Sequence, residues 1–571
     1  KLEQKFGGFL KGMTASVQAM SENINYFNEG RYIWPDLYRA TGRSSQGVLI
    51  KTLRTAKENM KYTQNNNRYR KYYMEAKANW DRTFGLHSLG ALALYYMEDV
   101  HNTQWKYDAM GINAIPQRRQ NLSGRVSYGY NNCYFIDANF GYTGSENFEH
   151  GKQFGFFPAV SAGWVVSEES FVKKAMPWLD LFKIRASYGE VGNDQLRTSL
   201  TDDKTRRFPY ISLVSTDDGG SYTFGEFGTN KVQGYRIKTL GTSNLTWEVA
   251  KKYDIGVDFS IFNGKVTGTV DYFVDKRDDI FMQRNQMPLT TGLADQTPMA
   301  NVGKMKSVGW DGNIAFTQQI GQVSLQLRGN FTYQKTDILD MDEAANELWY
   351  KMNKGFQLNQ SRGFIALGLF KDQEDIDRSP SQASLANKTI LPGDIKYKDL
   401  NGDNVVNGYD RTIIGNPEIP EIIYGFGGTL KYKKWDLSLF FQGVAKVSLM
   451  MSDIHPFSEA GHKGYNIAQY IVDDHWSESN NVAGAAYPRL SPEFITNNAQ
   501  TSTYYLRNAA FLRLKNAELG YSFFPWLRVY AAGTNLLTFS PFSTWDPEMG
   551  SGNGLKYPLQ RTAKIGIQFH Y

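Results

Sequence analysis

Strict alternation of apolar and polar residues, repeated along most of the chain and broken by turns, is the feature that most limits what this sequence can become. Successive side chains of a strand point to opposite faces, so such alternation builds a sheet with one apolar and one polar face. Leu122, Gly124, Val126, Tyr128 and Tyr130 fall on one face, with Ser123, Arg125, Ser127 and Gly129 on the other. After Asn131-Asn132 the pattern returns, setting Tyr134, Ile136, Ala138, Phe140 and Tyr142 against Asp137, Asn139, Gly141 and Thr143. A second hairpin sets Tyr253, Ile255, Val257, Phe259 and Ile261 against Asp254, Gly256, Asp258 and Ser260. It turns at Asn263-Gly264, two residues that tolerate the positive φ of a type I′ turn.

The links between strands alternate in length. Short ones fall near 84–86, 131–132, 263–264, 320–322, 433–434 and 524–526, and long ones near 98–121, 144–155, 189–246, 282–301, 338–423, 445–507 and 540–560. The link over 167–180 is intermediate, on the short side. This pattern predicts an all-β, antiparallel transmembrane β-barrel with short periplasmic turns and long extracellular loops, 338–423 and 445–507 being the longest. The chain reads as about sixteen strands. The first lies over 10–20, and an outer excursion over 21–71 holds a short amphipathic helix at 48–60.

Composition fits such a wall. Hydrophobic residues make 41% of the 571 and mean hydropathy is -0.48, with no run approaching the about 20 apolar residues of a membrane helix. Aromatic residues nevertheless reach 14%. One strand face meeting lipid and the other meeting an aqueous lumen accounts for the first figure, and aromatic girdles at the two interfaces account for the second. The aromatic content also excludes intrinsic disorder. A soluble propeller would show repeats of roughly 40 residues, which are absent. A net charge of +6 gives no ground for nucleic-acid binding, and NNNRYRKYY at 65–73 reads as a solvated loop running into a girdle. The single cysteine, Cys133, allows no internal disulfide. No signal peptide opens the chain, so either the protein is cytoplasmic or its N-terminus lies elsewhere.

Eight stretches, taken in order, resemble the SusC-like (RagA-like) TonB-dependent transporters of the Bacteroidota. They are QRRQNLSGRVSYGYNNCYFIDANFGYTGSENF at 117–148, FGFFPAVSAGWVVSEE at 154–169, LFKIRASYGEVGND at 181–194 and LTWEVAKKYDIGVD at 245–258. The series continues with NVGKMKSVGW at 301–310, GDIKYKDLNGDNVVNGYDRTIIGNP at 393–417, FLRLKNAELGYSF at 511–523 and NLLTFSPFSTWDPE at 535–548. The resemblance implies an outer-membrane barrel of about 22 strands with an N-terminal plug. This chain would be its C-terminal part, without the plug, the TonB-contacting segment and the first strands. It also implies active import of oligosaccharides, or peptides in some members, with a SusD-like surface lipoprotein as lid and TonB-ExbB-ExbD transmitting proton-motive force. Neither enzyme activity nor a required cofactor is implied. Two other readings are a passive porin or structural or adhesion barrel, and a soluble carbohydrate-binding β protein recovered without detergent.

Independently of the family, Ala563, Ile565, Ile567, Phe569 and Tyr571 alternate with polar residues to the last position. Phe569 and Tyr571 fit a closing strand that carries the C-terminal signal of outer-membrane barrels. Asp399, Asn401, Asp403, the carbonyl of Val405, and Asp410 have the spacing of an EF-type loop whose oxygens converge on Ca2+. Asn404 replaces the usual Gly and Asp410 the usual Glu, and the competing reading is an Asx-rich turn held by its own backbone bonds. His455, His462 and His475 share one link, but their spacing matches no compact zinc motif. P-loop, nucleophile-elbow and zincin motifs are absent. Trp349, Tyr350, Trp476 and Trp545 lie in long links and are candidates to stack on cargo, a role that competes with loop packing.

Overall fold

The computed structural model describes residues 1–102, 115–196, 207–215, 220–284, 286, 290, 298–345, 348–459, 466–479 and 485–569. Among these, seventeen strands belong to one sheet. The chain divides into two compact units, Lys1–Tyr128 with Asp137–Pro158 and Gly192–Trp247, and Gly129–Ile136 with Ala159–Val191 and Glu248–Tyr571. No described helix is long and apolar enough to cross a membrane.

In the first unit Met13–Tyr32 pairs antiparallel with Lys61–Phe84, which pairs with His87–Asn102. In the second, Glu248–Ile261, Val266–Gln283, Met299–Ile320, Val323–Asp340, Ile422–Tyr432, Trp435–Ala445, Phe511–Phe524, Leu527–Phe539 and Thr562–Phe569 each pair antiparallel with the next. Links at 6–12, 85–86, 131–133, 262–265, 321–322, 433–434 and 525–526 are short. Those at 33–60, 194–247, 341–421, 446–510 and 540–561 are long, and the two classes alternate. The link over 166–178 carries the helix Ser170–Ala175 and is longer than the link over 146–153, an inversion of the pattern. Asn131, Asn132, Asn263 and Gly264 all adopt positive φ, as their turns require.

Exposure is inverted relative to a water-soluble sheet. Along Tyr134–Ser145 the apolar set Tyr134, Ile136, Phe140 and Tyr142 is exposed, while Phe135, Asp137, Asn139 and Thr143 on the other face are half-buried. The second unit repeats this, with Tyr253, Ile255, Ile314, Leu327 and Phe426 exposed on the apolar face. An apolar face turned outward over so many strands is what lipid stabilises and water does not. Aromatic rings gather beside the short turns of this unit. Tyr134 stacks on Trp164 with centroids 6.4 Å apart, Trp178 on Phe262 at 5.7 Å, and Trp435 meets Tyr521 at 4.8 Å. Phe569 closes the row by stacking on Trp526 at 6.2 Å, whereas Tyr571 lies outside the described residues.

The start of the chain departs from expectation. The first long strand is Met13–Tyr32, its partner begins at Lys61, and the excursion shrinks to 33–60. At 20 and 24 residues these strands far exceed the about 9–11 that cross a bilayer. The expected helix at 48–60 is instead the strand Leu49–Thr55, paired with Leu37–Arg43. Leu49, Ile50 and Leu53 suit either period, and all three are exposed. A short helix would have no surface on which to bury them, while pairing satisfies the backbone of both segments.

Candidate functional site

The long connections of the second unit are not independent loops. Segments 341–421, 446–510 and 540–561 fold against one another around Phe364, Ile395, Tyr397, Leu449, Ile471 and Phe542, all buried. Three two-stranded ribbons fix the backbone, Ser361–Gly363 with Thr412–Ile414, Ala366–Leu369 with Ile395–Tyr397, and Ser448–Met450 with Leu506–Asn508. A polar network ties them together. Asp394, fully buried, accepts from Arg489 Nε at 2.7 Å, Asn498 Nδ2 at 2.8 Å and the Leu391 amide at 2.9 Å. Gln382 Nε2 donates to Asn497 Oδ1 and the Ile395 carbonyl, both at 2.9 Å.

Tyrosines complete the interior. The hydroxyls of Tyr397, Tyr504 and Tyr505 donate to the carbonyls of Asn497, Ala485 and Asn498 at 2.7, 2.7 and 2.6 Å. Burial holds all three, and Tyr487, well above the usual phenol range, Tyr487 being pushed up to about 12. A phenol whose folded pKa is raised contributes stability that is complete below its unfolded value of about 10 and is lost as pH rises through the folded value. We expect the loop body to loosen between about pH 10 and pH 12, at up to about 1.4 kcal/mol per unit for each buried phenol. Phenolate absorbance and protease sensitivity read this together, and unchanged protease resistance at pH 12 would contradict it.

The acidic motif sits at the edge of this body. Asp399 accepts from the amides of Gly402 at 2.7 Å and Asn404 at 2.8 Å, and Asp403 from that of Val405 at 2.8 Å. Asn401 accepts from the Asp403 amide at 3.1 Å and donates to the Asp403 carboxylate at 2.9 Å. Asp410 is fully buried and accepts from the amides of Leu400 at 2.7 Å and Asn407 at 2.8 Å, the second bond completing the capping box in which Asn407 caps the one-turn helix Gly408–Asp410. These side chains are turned to backbone amides, the arrangement of a self-bonded Asx loop. Among the described residues, no three His, Cys, Asp or Glu side chains are grouped to hold a metal. His475 bonds the Val472 carbonyl through Nδ1 at 2.7 Å, and His462 lies outside the described residues.

The four aromatic candidates separate by exposure. Trp476 packs against the core beneath Gly393, where φ is +86° and a Cβ would lie 2.3 Å from the indole. Trp545 packs edge-on to Phe542 at 4.8 Å and donates to the Gly550 carbonyl at 3.2 Å. Trp349 is 70% exposed and stacks on Phe356 with centroids 6.1 Å apart and planes 9° from parallel, with Tyr350 edge-on beside it. Lys351, from the same turn, donates to the Gly408 carbonyl at 2.6 Å and lies 5.3 Å from the centre of the exposed Tyr409 ring. Trp349, Lys351 and Tyr409 thus form one outward-facing group, pinned to the acidic loop. Tyr409 went unnoticed in the sequence, although its place beside Asp410 was the available signal. The same holds for Tyr222, Phe224, Phe227 and Tyr235 of the first unit, exposed around the ribbon Ser221–Phe224 with Asn230–Gln233.

The polar sheet face is a lattice of ion pairs. In the second unit Arg185 reaches Asp271 at 2.7 Å, Asp258 at 3.2 Å and Asp254 at 3.4 Å, while Arg528 bridges Asp436 and Glu518. In the first, Arg119 pairs with Asp194 at 3.0 Å and Lys71 with Glu98 at 2.9 Å. A charged face opposite an apolar one is what a water-filled barrel interior requires.

Comparison with known proteins bears on this wall directly. The family described as "TonB dependent receptor-like, beta-barrel" matches residues 16–536. TonB-dependent receptor P39 of Formosa agariphila is 27% identical over 528 residues, covering 83% of this chain and 48% of that receptor. TonB-dependent receptor SusC of Bacteroides thetaiotaomicron is 24% identical over 482 residues, covering 78% of this chain and 43% of SusC. The chain spans about half the length of the curated relatives it matches. The solved RagAB peptide transporter shares the fold, with a TM-score of 0.71 and 19% identity over 98% of this chain and 60% of that one. A family match of that extent, on strands that turn their apolar side outward, makes this chain a member of the TonB-dependent receptor-like β-barrel family of the outer membrane.

Proposed function

We propose that this chain forms most of the wall and the cargo-capturing loops of an active importer of oligosaccharides or peptides. The long connections face outward, the short turns face the periplasm, and cargo crosses without covalent change. A SusD-like surface lipoprotein closes over the loops, and TonB-ExbB-ExbD supplies force through a plug domain that these residues do not include. The observation that carries this reading is the exposed Trp349, Lys351 and Tyr409 group, held on a loop body with its own dry core. An aromatic face with an adjacent cation serves sugar rings and peptide side chains alike. The family match and the likeness to SusC and to the RagAB fold support transport over catalysis.

The test is uptake of labelled oligosaccharides and peptides by cells carrying the complete protein. Deleting TonB is expected to abolish uptake, and Trp349→Ala to weaken cargo binding roughly tenfold, equivalent to about 1.4 kcal/mol. Normal uptake without TonB would favour a passive pore instead.

A further inference from the structure

We propose that the ribbon built from Leu37–Arg43 and Leu49–Thr55 is a docking arm, which inserts into an apolar cleft rimmed by acidic residues on a second protein of the cell surface. This rests on the orientation proposed above, with the long connections outside.

The arm begins where the sheet stops supporting it. Lys61–Phe84 pairs with His87–Asn102 as far as Tyr69, opposite Asn102. Beyond that pair it runs on beside Met13–Tyr32, from Arg68 opposite Asn25 to Lys61 opposite Tyr32. Both strands far exceed a bilayer crossing, so this end stands outside the hydrocarbon. The ribbon continues it, and every residue of the ribbon except Thr55 is exposed. Register places apolar side chains on both faces. Tyr38 stands opposite Leu53 and Arg43 opposite Leu49, on one face with Lys51, while Ile50 shares the other face with Leu37 and Arg39. Leu37, Tyr38, Leu49, Ile50 and Leu53 are each 41% to 51% exposed. A two-stranded ribbon is marginal in water without a surface to pack on. A flat partner would cover one face and leave the other wet, so two apolar faces call for a cleft.

Charge selects the occupant. Residues 25–68 hold eight Lys and Arg against three Asp and Glu, a net +5, where the whole chain has +6, so the remaining residues are within one charge of neutral. Both acids of the 33–60 link are engaged within it or beside it. Asp36 accepts from the Lys57 amide at 2.6 Å, and Glu58 pairs with Lys61. Among the described residues Arg39, Lys51 and Arg54 form no ion pair, and Lys51 lies 4.6 Å from the centre of the Tyr38 ring. The other exposed ribbon of this unit, Ser221–Phe224 with Asn230–Gln233, has one acid and one base, Glu226 and Lys231, over 220–235. Charge rather than exposure therefore sets the arm apart. Like charge disfavours the arm of a second copy as occupant, and an anionic glycan offers no apolar surface to Leu37, Leu49 and Ile50. An apolar cleft with an acidic rim satisfies both requirements.

In cells making the complete protein, Ile50 or Leu53, on opposite faces, is replaced by the photoreactive residue benzoylphenylalanine and the cells are irradiated. Both positions are expected to crosslink to one and the same protein, at sites flanked by Asp and Glu. Arg39→Glu combined with Lys51→Glu and Arg54→Glu should cut that yield about fivefold or more, whereas Arg39→Lys with Arg54→Lys should keep it. Arg378→Glu with Lys388→Glu, an equally exposed pair in the loop body of the second unit, should leave it unchanged. The purified pair should also separate more readily as salt rises from about 0.1 to about 0.5 M. Folding of each variant is checked by heat-modifiable migration. Crosslinks confined to this protein or to glycolipid, different proteins from the two faces, or equal yields in the two arm variants would each overturn the proposal. Crosslinking is read without TonB or cargo, so it fails separately from the import reading.

Discussion

Replacing Ile314 with lysine is expected to destabilise the folded protein by about 2–4 kcal/mol, while lysine at the neighbouring Asn313 has little effect. Ile314 is 52% exposed, and in a water-soluble protein a lysine at such a position is close to neutral, within about 0.5 kcal/mol. The surroundings make the difference. Ile314 shares an apolar patch with Phe316, Leu327 and Phe426, so a charge there enters hydrocarbon. Asn313 is paired in register with Thr269 on one neighbouring strand and Asn330 on the other, on the polar face. Unfolding in urea from lipid vesicles, followed by the loss of heat-modifiable migration, gives both numbers. Equal and small effects at the two positions would mean that the outward apolar face does not meet lipid.

The contrast between those adjacent residues is readable in the sequence because alternation is a local property. Tyr134–Ser145 declares both faces within twelve residues, and Asn263-Gly264 declares its turn within two. Where two local patterns coincide, as in Leu49, Ile50 and Leu53, the sequence is ambiguous and a partner strand decides. The loop body is harder to see for a different reason. Asp394 meets Arg489 across 95 positions and Gln382 meets Asn497 across 115, and no periodicity marks either pair. For the same reason Trp349, Trp476 and Trp545 look equivalent as sequence. Only packing distinguishes the exposed ring from the two that fill the body. The acidic motif shows a further limit, since one spacing of oxygens serves a cation or a set of amides equally well.

Asp394→Ala is expected to open the loop body while the wall strands stay folded. Removing one partner of a buried ion pair costs about 3–5 kcal/mol, because the guanidinium of Arg489 is left in a dry interior without its counter-charge. The loss falls on the connections. Asp394 also holds Asn498 and the Leu391 amide, and Arg489 joins the backbone at Gly393, so 341–421 and 446–510 lose their shared anchor together. The wall has its own ladders of strand hydrogen bonds, from Val266–Gln283 to Thr562–Phe569, and does not depend on that anchor. Limited proteolysis in vesicles should therefore cut within 446–510 while heat-modifiable migration persists, and import should fall because Trp349 rides on the same body. A second variant separates electrostatics from packing. Asp394→Leu combined with Arg489→Met removes both charges and should recover most of the protease resistance, since replacing a buried pair with apolar groups is often neutral. If the single and double variants are cut equally, the pair is not what closes the body, and the amide network of Gln382, Asn497 and Asn498 carries that role instead.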